Sequence, residues 1–290
     1  MVELSYQYYY LLPIAIVVAT LANYSGIGGA TFFAPLFIIG LGLDVPVSFG
    51  VAIITEFFGF GSGVFGYIYR RLVDFQIVGM ALVVTIPLAI LGVNISYLLN
   101  HELLHIIFLI GLTIVALLFF KKNKSEIGLS SSVIKDSPPS GQKIKTHYYS
   151  NNKSVNYISP NMKVGVPLFG FGGLLLGLLS SGCGETNALF LIKLSRIPIK
   201  IATGTSVVII AITALSSGLM HISHFSTMSF SDSSQVLSII IFTIPGVIIG
   251  GQLGPILADK FQFKYFEKFI GCVFLIIVIL CVLHLCFHQP

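Results

Sequence analysis

The chain is a succession of apolar runs, at about 8–43, 45–69, 74–99 and 103–120 and again at about 164–194, 197–222, 235–258 and 266–286, whose interiors carry no Lys or Arg. About 20 apolar residues wound as a helix cross the roughly 30 Å of a bilayer's hydrocarbon with every backbone group bonded internally. The runs lack the strict alternation of a membrane barrel. Composition agrees: 55% hydrophobic residues, 9% charged and a mean hydropathy of +0.95 leave too little polar surface for a water-soluble domain. The expected class is all-α and integral to the membrane. Met1-Val2-Glu3 gives the first run an acidic flank and no small-x-small cleavage site follows, so that run is expected to stay rather than be removed as a signal peptide.

Between Lys121 and Lys163 the composition turns to Ser, Asn, Lys and Pro ("KKNKSEIGLSSSVIKDSPPSGQKIK"), too poor in apolar residues to fold by burial and too polar for lipid. The reading is a first membrane repeat over 1–120, a basic, disordered linker over 121–163 and a second membrane repeat over 164–290. Internal similarity supports the duplication. "SGIGG" at 25–29 lies over "SGCGE" at 181–185, "VPV" at 45–47 over "IPI" at 197–199, Gly50 over Gly204, and "TIPLAILG" at 85–92 over "TIPGVIIG" at 243–250.

The first run of each half is too long for one ordinary span and is broken near its middle by glycines and polar residues, "NYSGIGGAT" and "LSSGCGETN". The piece after the first break, Ala30 to Leu43, reaches only about 21 Å as a helix. A re-entrant hairpin fits better than a straight crossing. With one hairpin and three crossings in each half, every Lys and Arg falls on the linker's side, and the opposite side receives Glu3, Asp44, Glu102, Asp232 and both termini. Under the positive-inside rule the linker is then cytoplasmic and both termini are outside, in a cell membrane. Three crossings per half also invert the second half relative to the first. Such an inverted repeat brings the two breaks together near the midplane.

Glycines at Gly26, Gly28, Gly29, Gly182 and Gly184 let the backbone unwind and leave N–H groups free at the start of each following half-helix, where the helix dipole favours an anion. Ser25, Thr31, Ser181, Thr186 and Asn187 add side-chain donors suited to oxyanions, and Cys183 stands at the second tip as a thiol contact or a small space-filler. Close helix packing is the competing use of such glycines. Glu56 and Glu185 are carboxylates at membrane depth. Burying an ionised acid there is costly, so both are candidate proton carriers. His221 and His224 lie three apart on one face at the outer end of a span, and with no third ligand evident they read as a surface or gate pair rather than a metal site. The cysteines show no CxxC spacing, so neither a disulfide frame nor zinc is indicated. No GxxxxGK[ST] loop is present, and no cofactor is expected. Pro87 and Pro245 take matching mid-span positions as kinks.

These residues resemble the sulfite exporter TauE/SafE family of membrane transporters. The resemblance rests on Gly26-Ile27-Gly28-Gly29 with the following Pro35-Leu36, the "VPV" and "IPI" segments, Gly204-Thr205-Ser206, and the two-half plan with a basic middle linker. It covers nearly the whole chain apart from the linker. It implies secondary transport of small sulfur-containing anions, such as sulfite, thiosulfate or organosulfonates such as sulfoacetate. The chain departs from the family pattern at Glu185-Thr186-Asn187, with no proline before Pro198, which opens ligand choice to a protonatable ligand, a proton-coupled cycle or even a cation. The expected partners are that anion and the lipid bilayer, with no nucleic acid; a homodimer is left open. Alternatives are a transporter or channel for another small anion, and an intramembrane enzyme using Cys183 as nucleophile.

Overall fold

The computed structural model of the chain describes residues 6–120, 144–149, 153–225, 230–260 and 266–287. The first half holds α1 (Leu11–Ser25), α2 (Ala30–Pro35, running on as wider π-helical turns over Leu36–Gly40), α3 (Val45–Tyr69), α4 (Phe75–Leu98) and α5 (His101–Phe120). The second holds α6 (Met162–Leu179), α7 (Cys183–Ala188, running on as π-helical turns over Leu189–Leu194), α8 (Ile199–Phe225), α9 (Phe230–Lys260) and α10 (Phe266–Phe287). Among the described residues five helices are long and apolar enough to cross a membrane: α3, α4, α6, α8 and, over Ser234–Ala258, α9. Shorter apolar helices include Leu11–Ser25, Ala30–Gly40, His101–Ile114 and Gly271–Leu283. The protein is therefore an all-α, multi-pass membrane protein.

Local chemistry sets the boundaries. Asp74 caps α4, its carboxylate accepting the Gln76 and Ile77 amides at 3.1 and 3.4 Å. Asn161 caps α6 through the Lys163 amide at 3.1 Å. Pro46 sits in the first turn of α3, where no amide is needed. At the end of α1, Gly26 adopts φ +71° and returns its N–H to Ala22 O at 2.9 Å, a left-handed stop that glycine takes without strain.

In lipid, helices associate through close packing rather than through a hydrophobic drive, and small residues let backbones approach. α1 lies along α9, and α4 along α6. A Cβ on Gly246 would stand 2.6 Å from Leu12 O, and one on Gly250 would press on Ile16 O. Across the other pair, a Cβ on Gly173 would stand 2.6 Å from Thr85 O, and one on Gly177 would press on Ala89 O. α3 and α8 cross at the centre, each with 72% of its span buried against 39% for α4 and 44% for α6 and α9. Two threonine bridges tie the centre to its flanks. Thr55 of α3 meets Thr243 of α9 at 3.2 Å, and Thr85 of α4 meets Thr213 of α8 at 3.0 Å. Thr85 and Thr243 are the residues that open the two "TIP" motifs, and each bridges to a threonine of a central helix. α5 and α10 pack on each other outside this core.

The segment expected as a disordered linker contains ordered structure. Residues Ile144–Tyr149 (β1) and Lys153–Ile158 (β2) pair as an antiparallel hairpin, from Ile144 opposite Ile158 to Tyr149 opposite Lys153. The stretches 121–143 and 150–152 lie outside the described residues. The hairpin docks on the turn between α3 and α4. Lys145 Nζ contacts both oxygens of Asp74, at 2.7 and 2.6 Å, and Tyr157 OH donates to Asp74 Oδ2 at 2.6 Å. His147 Nε2 lies 2.8 Å from Arg71 O. Burial by itself pushes the Asp74 carboxyl up, but Lys145 and Tyr157 outweigh it and hold the group below its ordinary value. Burial, with the Asp74 carboxylate beside it, pushes the Tyr157 hydroxyl up. Asp74 N also donates to Thr205 Oγ1 of α8 at 3.0 Å, so one turn joins hairpin, first half and second half.

Candidate functional site

The sequence breaks the helices at the expected places, Gly26–Gly29 and Ser180–Gly182. Gly182, at φ +103°, and Ser180, at φ +54°, give the second break its left-handed turn. The two breaks touch. A Cβ on Gly184 would press on Gly28 N and stand 2.9 Å from both Cα and C of Ile27. Only a glycine lets the backbones come this close.

Hydrogen bonds join the tips. Thr31 Oγ1 donates to Glu185 Oε1 at 3.0 Å. Ser206 Oγ, from α8, donates to Gly26 O at 3.0 Å and accepts from Asn187 Nδ2 at 3.1 Å. Ser206 is a site residue that the chemical reading of the breaks did not single out. Its signal was present, since it closes the Gly204-Thr205-Ser206 triplet near the start of α8.

The free amides expected at the half-helix starts already have partners. Ala30 N donates to Glu56 Oε1 at 3.1 Å, and the Gly29 amide faces the same carboxylate. Gly182 N donates to Glu185 Oε2 at 2.9 Å. A carboxylate at the positive end of a helix dipole is favourable, and a charge-assisted bond to a backbone N–H is among the stronger kinds. Glu56 and Glu185 thus occupy the positions where an anion was expected.

Several other expected donors are turned inward. Ser25 Oγ donates back to Leu21 O at 2.9 Å and accepts the Ile27 amide at 3.3 Å. Thr186 Oγ1 bonds Gly182 O at 2.8 Å and Cys183 O at 3.0 Å. These two bond to the backbone of the breaks themselves. Cys183 is fully buried, with Asn187 Nδ2 3.8 Å from its sulfur. Ser181 is buried beside it, and Gly29 packs against Ala22 and Phe60. Among the described residues, four buried polar atoms around the breaks have no hydrogen-bond partner: Asn23 Oδ1, Glu56 Oε2, Ser180 Oγ and Asn187 Oδ1. Buried polar atoms are rarely left so, and each such atom marks a place for a proton, a water or a ligand. The cleft beside Glu56, lined also by Asn23, Gly29, Thr55 and Gly59, is too narrow for a water molecule. The arrangement is closed.

His221 departs from the surface reading. It is fully buried, with Nδ1 3.0 Å from Tyr97 OH of α4, while His224 stacks on the Tyr97 ring at 3.9 Å. A Cβ on Gly50 would stand 2.8 Å from His221 Nδ1, so the space left by that glycine admits the imidazole. Among the described residues no group of three or more metal-ligating side chains occurs.

Residues 11–281 match the family described as sulfite exporter TauE/SafE. The chain is also 23% identical, over 260 residues, to the probable membrane transporter protein YjnA of Bacillus subtilis (strain 168), covering 84% of this chain and 89% of that protein. No solved structure matches. With a family of membrane transporters matched across almost its full length, and broken helices at the places the sequence marks, the chain belongs to the sulfite exporter TauE/SafE family.

Proposed function

We infer that the protein is a secondary transporter of small sulfur-containing anions, which bind between the two helix breaks near the membrane midplane. The observation that carries this reading is the meeting of the breaks, Gly184 against the Ile27–Gly28 backbone, with unpartnered polar atoms clustered around it. Irregular backbone at membrane depth belongs where a polar ligand or cavity satisfies it. The inverted repeat is part of the same reading. Its support is the exchange of partners between halves: α1 with α9 and α6 with α4, and the two threonine bridges made by matching "TIP" residues. α1 with α2, and α6 with α7, are then the re-entrant hairpins, with the linker cytoplasmic and both termini outside the cell membrane.

In this cycle the halves rock about the crossing of α3 and α8, opening the closed tips first to one side and then to the other. Gly26, Gly28, Gly29, Thr31, Ser181, Gly182, Cys183, Gly184 and Asn187 form the cradle; Ser25 and Thr186 hold its shape. Glu56 and Glu185 couple transport to protons, because an anion and an ionised carboxylate repel in a small dry chamber.

The test is uptake and efflux of sulfite, thiosulfate, sulfoacetate and taurine in vesicles reconstituted with the full chain, with pH and voltage clamped. Saturable flux of sulfur anions that responds to a pH gradient is expected. Flux indifferent to the gradient removes the coupling, and no flux of any sulfur anion removes the substrate class.

A further inference from the structure

The two acids at the breaks are not equivalent. Both oxygens of Glu185 have partners, one of them the amide three residues before it on its own break. Glu56 comes from another helix. It projects from α3 to the start of α2, bonds Ala30 N–H through Oε1, and leaves Oε2 without a partner although the residue is only 1% exposed. Gly28 makes room for it, since a Cβ there would stand 3.0 Å from Oε1. An oxygen held by a backbone amide at a half-helix start, with a second oxygen beside it, is what a bound oxyanion would also present.

Resting on the transport reading above, we propose that Glu56 is a tethered anion: its carboxylate fills the transported anion's place at the start of α2 and must leave that place for the anion to bind. The exchange balances in charge. An ionised Glu56 takes up one proton, releases the Ala30 amide and swings aside as a neutral acid, and the incoming monoanion accepts the amide. The site carries one negative charge before and after, so no uncompensated charge is created in the low-dielectric interior, where that would be most costly. One proton therefore accompanies each monoanion at this position. The titratable groups that face Glu56 are Glu185 and Cys183, both on α7. α2 carries none, Tyr24 of α1 faces Tyr67, and α8 and α9 carry theirs toward their ends.

The experiment uses the full chain in lipid nanodiscs, with the thermal shift produced by sodium thiocyanate or sodium sulfite at constant ionic strength, gluconate being the balancing anion. Thiocyanate keeps its charge over the roughly pH 5.5–10 range to be scanned, so its pH dependence reports the protein's protons. In the wild type its apparent affinity is expected to weaken as pH rises, by up to about tenfold per unit while Glu56 is ionised. Glu56→Gln, which keeps size and shape, should flatten that dependence and hold the high-affinity value throughout. Glu56→Ala should bind thiocyanate at least as tightly as Glu56→Gln. The proposal is overturned if Glu56→Gln retains the wild-type pH dependence, if both variants fold but lose anion binding, or if thiocyanate shifts none of the three proteins. Thiocyanate binding that follows the expected pattern while sulfite shifts none of them would leave the tethered anion standing and count against the sulfur substrate. Sulfite binding with an unchanged pH profile in Glu56→Gln would do the reverse.

Discussion

Replacing Gly184 by alanine adds one methyl group at the point where the two breaks touch. Its neighbours there are backbone atoms, Gly28 N and the Cα and C of Ile27, which cannot rotate out of the way. Carbon atoms in good contact sit about 3.5–4.0 Å apart, so contacts of 2.9 Å and less require the tips to separate by about 1 Å. That displacement stretches two bonds now at 3.0 Å, Thr31 to Glu185 and Ser206 to Gly26, beyond the range in which they hold. Overpacking of this kind and the loss of the bridging bonds together cost about 2–3 kcal/mol. The tips must close on each other in every turn of the proposed cycle. At about 1.4 kcal/mol per factor of ten, the expected loss of sulfite flux in reconstituted vesicles is therefore about 30- to 140-fold. Gly79→Ala is the matched control: Gly79 lies inside α4 with nothing within 4 Å of an added Cβ, so flux should be unchanged and the helix slightly favoured. Equal flux in Gly184→Ala and Gly79→Ala, with equal protein in the membrane, would refute the argument that the touching breaks carry transport.

Gly177→Ala and Gly250→Ala each put a methyl against a carbonyl of the facing helix, Ala89 O and Ile16 O, and should lower the thermal stability of the detergent-solubilised protein by about 1–3 kcal/mol each. A stability equal to wild type in either variant would mean that the α4–α6 or α1–α9 crossing is looser than described. The Asp74 cluster has a pH signature. Because its folded value lies below the ordinary one near 3.8, its contribution is present above about pH 4 and is lost as pH falls through the folded value. Tyr157→Phe removes one of the donors responsible, and should shift acid unfolding of the hairpin, followed by amide hydrogen exchange of 144–149 and 153–158, to higher pH. Lys145→Ala should act in the same direction, its ion pair being weakened by the 30% exposure of the lysine side chain. Protection that does not depend on pH in either variant would show that the hairpin is held by something else.

Much of the architecture was legible in one dimension, because lipid leaves so few choices. A chain that must bond all its amides internally across about 30 Å can only coil, so apolar length alone gave the helices, and glycines beside serines gave the two breaks to within a residue or two. The two "TIP" motifs were legible as well, and each opens on a threonine that bridges to another helix. The hairpin at 144–158 was not, although "IKTHYY" and "KSVNYI", separated by Ser150-Asn151-Asn152, carry β-branched and aromatic residues around a polar turn. Averaging over the polar linker hid them, and what anchors them, Asp74, lies some 70 residues away in the chain. The same limit applies to the site. Sequence placed two acids at membrane depth and amides at two breaks, but only the crossing of α3 over α2 puts the Glu56 carboxylate on the Ala30 amide, and only α8 brings Ser206 to Gly26. Periodicity and hydropathy are properties of neighbours along the chain. A partner 26 or 180 positions distant is chosen by packing, which exists only once the chain has folded.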